Sequence, residues 1–401
     1  MAKKRSVLFL ALICTVVGIG FYLLKNSIPD QVNLLAGQEG QLELNYPMNE
    51  LVQEEVVAAD SQGKSNIPDG QVKVTCKLLG VIPIKDIQVN TVEKKSVIPG
   101  GLPIGIYMKT EGILVVGTGT VGGMDGLDYE PAVNILQSGD YILSVNGCEI
   151  QKKEELVEKV NEAKGQQVSL TVRRNGETTE LSLAPVQTGN EEYKLGIWVR
   201  DDTQGIGTLT YVDTEGEFGA LGHGISDVDT GGLLFLKTGT LYHTDILSVN
   251  KGERGVPGEL AGVIRYQDDQ ILGEINENTN RGIFGTVNDR LRSGMSEDTV
   301  EVAFKQEIEQ GPATIYCAVD GQVKEYGIQI EKIYLNSKEA NKGMVIRVTD
   351  EELLAKTGGI VQGMSGSPIL QNGKLVGAVT HVFIQDSTCG YGIFAENMLE
   401  H

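Results

Sequence analysis

Beyond Glu191 the chain is written almost entirely in short apolar runs separated by glycine and Asn/Asp turns, among them "GIGTLTYVD", "GGLLFLKTG", "ATIYCAV", "GMVIRV" and "GKLVGAVTHVF". Runs of this length and spacing read as strands of a sandwich or of a pair of barrels. They do not alternate with helical patterns, which disfavours a doubly wound α/β fold. With 51 glycines and 5% aromatic residues in 401 positions, the composition suits small β domains rich in turns. A chain of this length is expected to divide into two or three domains.

The region before it has a different order of elements. Strand-like runs extend from "PGGLPIGIYMKTEGILVVGTG" to "DYILSVNGCEI". The stretch "KKEELVEKVNEAKG" then spaces Leu156, Val157 and Val160 as an amphipathic helix, and two alternating strands follow around the Asn175–Gly176 hairpin signal. That order resembles a PDZ domain of the bacterial protease-associated type over residues 100–187. The resemblance implies an apolar-Gly-apolar loop that offers N–H groups to a peptide carboxylate, a role that falls on Ile104, Gly105 and Ile106. Leu156 and Val160 would face the peptide groove. Each of these residues would also suit a small core. Residues 26–99 read as a polar, acidic linker followed by a small β module of no legible function.

The formal net charge of −20 argues against nucleic acid as a partner, since phosphate binding needs a basic surface. The membrane signal is N-terminal. Lys3, Lys4 and Arg5 precede an uncharged apolar run from Ser6 to Leu24 that ends at Lys25. The run is long for a signal-peptide core and no A-x-A-like site follows closely, so residues 1–25 read as an uncleaved anchor in preference to a cleaved signal. The basic residues put the N-terminus in the cytoplasm and the remaining domains outside it. Of the five cysteines, Cys317 and Cys389 would be free to pair in that compartment. Buried thiols are the favoured reading, and no zinc site or cofactor is suggested. "GKS" at Gly63–Ser65 lacks the first glycine of a phosphate loop, where Ala58 stands, and is rejected.

The stretch "GGIVQGMSGSPIL", Gly358 to Leu370, carries the chemistry. A hydrolase elbow needs glycine two residues after its serine, but Ser367 stands there. A chymotrypsin-like loop needs glycine two residues before, so that two N–H groups face a developing oxyanion; Gly363 and Ser365 satisfy that spacing. A second "GMS" at Ser296 is followed by Glu297 and Asp298, whose charges would oppose an oxyanion, and is discarded. Among four histidines, His223 sits between two glycines in "GALGHGISDVDTG" and is the accessible base. His243 reads as a strand-edge residue, His381 as a residue lining the cleft, and His401 as terminal. Asp350 could orient the base, but it precedes a helical stretch with a Thr349/Glu352 capping pattern, and spacing slightly favours the capping role. Asp227, Asp229 and Asp245 compete for the orienting position.

An anchor, a PDZ domain, "GALGHGISDVDTG" and "VTDEELLAKTGGIVQGMSGSPI" together resemble the stage IV sporulation protein B peptidases of endospore-forming bacteria. The resemblance implies a chymotrypsin-like double β-barrel over residues 188–401, with catalytic histidine at His223, aspartate at Asp350 and serine at Ser365. It implies an enzyme between the two membranes around the forespore that processes itself. It would then cleave a membrane-bound regulator of an intramembrane protease, triggering sigma-factor maturation. "VGAVTHVF" and "GYGIF" would flank the P1 pocket, and residues 60–70 are a candidate self-cleavage segment. The alternative from another class is a non-catalytic scaffold that works through the PDZ groove beside a degenerate protease domain.

Overall fold

A computed structural model describes residues 2–35, 52–57 and 71–400. Helix α1 (Ala2–Ser27) leads into a four-stranded sheet in the order Gln31–Leu35, Ile82–Val92, Gln71–Leu78, Val52–Val57. Leu24 and Ile28 from the end of α1 pack into the core of that sheet with Val32, Ile87 and Val89. Among the described residues no helix is long and apolar enough to cross a membrane. The anchor expected at Ser6–Leu24 therefore stays a proposal; the side chains of residues 2–8 and 10 lie outside the description. So do the rejected "GKS" and the segment 60–70.

The first barrel begins earlier than the sequence suggests. Strand β1 (Pro103–Thr118) pairs along residues 103–109 with β2 (Ile197–Asp213) and along 104–110 with β3 (Leu236–Asn250). β2 continues to Glu217–Ala220, which pairs with Gly282–Val287, then Ile271–Thr279, and so back to β3. These pairings close a six-stranded barrel around Ile104, Ile106, Met108, Leu209, Phe218 and Leu241, which are all but fully buried. Each such apolar side chain contributes roughly 1.5–3 kcal/mol of transfer free energy.

The PDZ-type unit is inserted between the two halves of this strand pair. β1 and β2 leave the barrel around residues 111 and 200 and keep pairing as Leu114↔Arg200 to Thr118↔Ile197. Register shifts between Arg200 and Asp202, and Gly112 at φ +82°, mark the junction. The second core lies beyond it, with helix α2 (Lys153–Glu162) laying Leu156 and Val160 against Ile113, Ile142, Leu170 and Val172. Glu155 caps α2 by accepting from the N–H groups of Gln151 and Lys152. Buried Asp201 ties the helix to the junction by accepting from Lys153 N–H at 2.9 Å.

In the C-terminal half the pairings Gly311–Cys317 to Lys324–Ile333 to Met344–Val348 lead to the hairpin of β4 (Lys374–Phe383) and β5 (Asp386–Phe394), and Pro368–Gln371 completes a second six-strand circuit. Its core holds Ile315, Ile330, Ile346, Met364 and Val379. Cys317 and Cys389 are buried thiols with no disulfide between them.

Candidate active site

Two glycines in the left-handed region, Gly363 at φ +98° and Gly366 at φ +95°, turn the chain sharply on either side of Ser365. A Cβ on Gly363 would press on Leu260, and one on Gly366 would run into the backbone of Thr208 and Leu221. The loop is stapled to β2 of the first barrel. Thr208 N–H donates to the Ser365 carbonyl at 2.9 Å, Thr208 Oγ1 to the Gly363 carbonyl at 2.7 Å, and Thr210 Oγ1 to the Gly366 carbonyl at 2.8 Å. Met364 roots the loop in the second core. The serine is thereby fixed where the two barrels meet.

The N–H groups of Gly363 and Ser365 donate no hydrogen bond within the described protein. Unspent donors beside a held hydroxyl are what an oxyanion requires. Ser365 Oγ itself donates to the Thr380 carbonyl at 2.7 Å. Both residues line a cavity of about 370 Å³. Its other walls come from β2 (Thr203–Ile206), the His223 turn (Leu221 to Ser226), Ile360 to Gln362, and Thr380, His381 and Val382 of β4. Its lining holds no Asp, Glu, Lys or Arg, and its titratable side chains are the two histidines. β5 does not line the cavity, although Gly390 packs close behind Ile360.

His223 reaches this cavity from a strained turn. Leu221 at φ +69° is buried in a conformation unfavourable for a leucine, and Gly222 follows at φ +70°. Asn278 braces the far side of the turn, accepting from Ile225 N–H and donating to the carbonyls of Ile225 and Leu234. Nδ1 of His223 lies 2.9 Å from the Gly224 carbonyl. A proton on Nδ1 donates there and leaves Nε2 as an acceptor. Burial holds the imidazole below its ordinary pKa, only partly offset by the Gly224 carbonyl, so it is a neutral base at neutral pH.

Asp350 is not part of this constellation. It begins helix α3 (Glu351–Thr357), where Oδ1 accepts from Leu353 N–H at 3.0 Å and Oδ2 from Gly327 N–H at 3.3 Å. Its carboxylate is spent on backbone donors outside the cavity. Asp350 caps the helix in this structure and makes no contact with His223 that would carry the orienting role the family resemblance implies for it. Asp227 and Asp229 pair with Arg200, and Asp245 with Arg265. No carboxylate among the described residues contacts His223. The ring beside it is that of His381, centroid to centroid 4.8 Å. Ser296 lies outside the cavity and donates to Asp298 at 2.9 Å.

Ile104, Gly105 and Ile106 are corrected. They lie in β1, paired on both sides in the first barrel, so their N–H groups are not free for a peptide carboxylate; Ile106 lines the Ser365 cavity instead. The groove of the inserted unit is bounded by Leu156, Val157 and Val160 of α2, by Gly119 to Val121, and by Tyr193 to Val199. Its apolar-Gly-apolar triplet is Leu195-Gly196-Ile197, within "YKLGIWV". Among the described residues no cluster of His, Cys, Asp or Glu is arranged to hold a metal ion.

Comparison with known proteins finds two family matches. The family described as SpoIVB peptidase S55 matches residues 191–399, and the PDZ domain family matches residues 127–184. A zinc metalloprotease, RasP of Shouchella clausii (strain KSM-K16), is 34% identical over 104 residues, which is 25% of this chain and 24% of the relative. The chain thus spans about a quarter of that curated relative. The Rv3671c protease of M. tuberculosis in its active form is 15% identical, with 49% of this chain and 72% of that one covered and a TM-score of 0.26. An HtrA-type protease, AlgW with a decapeptide, is 15% identical over 52% of each chain, with a TM-score of 0.28.

Proposed function

The chain belongs to the SpoIVB peptidase S55 family, and from that premise we propose that it is a serine endopeptidase with Ser365 as nucleophile and His223 as general base. The observation that carries this reading is the single cavity holding Ser365, His223 and two unspent N–H groups at the spacing an oxyanion needs. On substrate entry the Ser365 hydroxyl turns from the Thr380 carbonyl toward His223. Oγ attacks the scissile carbonyl carbon while Nε2 takes its proton, and the N–H groups of Gly363 and Ser365 receive the oxyanion. The imidazolium passes the proton to the leaving nitrogen as the C–N bond breaks. Water, deprotonated by His223 Nε2, then attacks the acyl carbonyl; the C–Oγ bond breaks, the carboxylic acid leaves, and the proton returns from Nε2 to Ser365 Oγ. The Gly224 carbonyl holds the tautomer, the task a carboxylate has in a full triad.

The inserted PDZ domain supplies a second, apolar groove for a peptide. We further propose, on the family resemblance, that the substrates are the enzyme's own chain and a membrane-bound regulator of an intramembrane protease acting in sporulation. The location proposed is the space between the forespore membranes, with α1 as anchor. Phe9, Leu12, Val16, Val17, Tyr22 and Leu23 stand exposed on α1, which supports embedding that helix in lipid.

An active-site phosphonate probe tests the enzyme reading. Covalent labelling that Ser365→Ala and His223→Ala both abolish, in folded protein, is the expected result. Absence of labelling in the wild type would support the scaffold reading in its place.

A further inference from the structure

We propose that His381 is the positioning residue for His223: its ring packs on the base, holds it in the cavity and shields the imidazolium formed during catalysis. The inference rests on the serine peptidase reading and adds a residue to it.

A general base in this chemistry must present the right nitrogen, stay within reach of the hydroxyl, and carry a transient positive charge. The Gly224 carbonyl serves the first need but comes from the adjoining residue, so it moves with the histidine and gives little lateral restraint. A carboxylate would normally meet the other two, and none among the described residues contacts His223. The side chain that does pack on it is His381, with ring centroids 4.8 Å apart and planes tilted by 36°. No hydrogen bond joins the two rings among the described residues. The contact is made through the ring, and an aromatic face is an environment in which a cation is stabilised.

His381 also occupies the right strand. It follows Thr380, whose carbonyl accepts from Ser365 Oγ at 2.7 Å, so two consecutive residues of β4 restrain the nucleophile and the base. The Thr380 hydroxyl is fixed in turn by donating to the Asn341 carbonyl at 2.8 Å. β4 pairs with Pro368–Gln371 as far as Ala378 and with β5, and Thr380 and His381 fall at the register shift between Val379 and Val382, a bulge at which both residues line the cavity.

A stacked partner must itself be neutral, since two adjacent imidazolium ions would repel. His381 is exposed as a residue, yet partial desolvation of its ring, then repulsion from His223 when that ring is protonated and from Lys342, hold it below the ordinary histidine range, with Glu339 opposing. Lys342 also lies over the Tyr391 ring, at 5.5 Å, and Glu339 binds Lys342, so these groups face His381 as a nearly neutral pair. His381 is therefore uncharged at neutral pH, where the base works.

The test uses the full chain carrying His381→Ala or His381→Phe, with the phosphonate labelling rate of Ser365 measured against probe concentration and pH. His381→Ala is expected to lower the maximal labelling rate by roughly 10–50-fold while the half-saturating probe concentration changes little. The acidic limb of the profile should move upward, because losing the ring admits water to His223 and raises its pKa. His381→Phe keeps a ring and is expected to recover most of the rate and the original limb. Thermal melts separate these effects from unfolding, which would lower the active fraction without moving the limb. Labelling of His381→Ala at the wild-type rate and pH dependence overturns the inference, as does a folded His381→Phe no better than His381→Ala. An unlabelled wild type overturns the peptidase reading and this inference with it.

Discussion

Asp350 accepts a hydrogen bond from Leu353 N–H at 3.0 Å and a second, at 3.3 Å, from Gly327 N–H, which joins the start of α3 to the strand Lys324–Ile333. A carboxylate engaged in this way stabilises a helix terminus through the exposed N–H groups and the helix dipole. Asn can make the same cap. Asp350→Asn is therefore expected to keep the turnover of the folded enzyme within a few-fold of wild type, and Asp350→Ala to lose about 1 kcal/mol of stability. Active-site titration together with denaturant unfolding separates the two. A folded Asp350→Asn protein slowed by orders of magnitude would return Asp350 to the catalytic machinery.

Gly363 combines a left-handed backbone with a Cβ position pressed against Leu260. Gly363→Ala should rotate the peptide that carries one oxyanion donor. Loss of a single such donor typically lowers kcat by about 10²–10³-fold. Steady-state kinetics should show that fall with a much smaller change in KM. Equal effects on both constants would point to substrate binding rather than to the oxyanion.

Burial lowers the pKa of His223, with no carboxylate to draw it back up. The base is then already free at neutral pH. Activity as kcat/KM should be flat from pH 7 upward to the onset of other ionisations and fall only below the ordinary histidine range, near ~6.5. The stability linkage has the same sign. A histidine with a depressed folded pKa binds fewer protons folded than unfolded in that window, so stability declines as pH drops below the unfolded value. An acidic limb centred above pH 7 would contradict the site's geometry.

Arg200 holds Asp227, whose side chain is fully buried, and also Asp229 at 2.8 Å, closing the turn that follows His223. Asp227 further accepts from the N–H groups of Asp229 and Thr230 at 3.0 and 2.9 Å. Stripping a buried carboxylate of its cation costs about 3–5 kcal/mol, and the two remaining donors place Arg200→Ala at the lower end. Calorimetry should register a reduced Tm, and the loosened turn a reduced kcat. Lysine cannot reproduce the forked contact, so Arg200→Lys should rescue only in part.

Trp198 is the sole tryptophan of the chain and is 62% exposed at the wall of the PDZ groove. Titration with a short peptide ending in apolar residues should bury the indole and shift its emission to the blue. Leu156→Glu should abolish that shift by placing a charge in the groove floor. An unchanged spectrum at saturating peptide would remove the groove from consideration.

The shape of the Ser365 loop was legible because its constraints are local: glycine positions relative to Ser365, and the acidic neighbours of Ser296, are properties of a few consecutive residues. The capping alternative for Asp350 was legible for the same reason. Ile104, Gly105 and Ile106 misled because β1 is one uninterrupted run that changes partners midway, and a strand's sequence carries no mark of where its neighbours change. Leu195-Gly196-Ile197 has the same local pattern, and only the tertiary pairing tells the two triplets apart. The contact between His223 and His381 is also non-local, arising from the way the second barrel presents β4 to the first.

Inserting one domain between the halves of a strand pair sets an order on how the chain acquires its structure. Ile104 cannot meet Gly207 until everything between them has been looped out. An unstructured loop of that length would make barrel closure slow. Once the inserted unit has formed its own pairing from Leu114↔Arg200 to Thr118↔Ile197, the two barrel segments emerge side by side and the long loop is reduced to a short gap. The PDZ domain is thus placed to act as the folding nucleus of the enzyme that surrounds it.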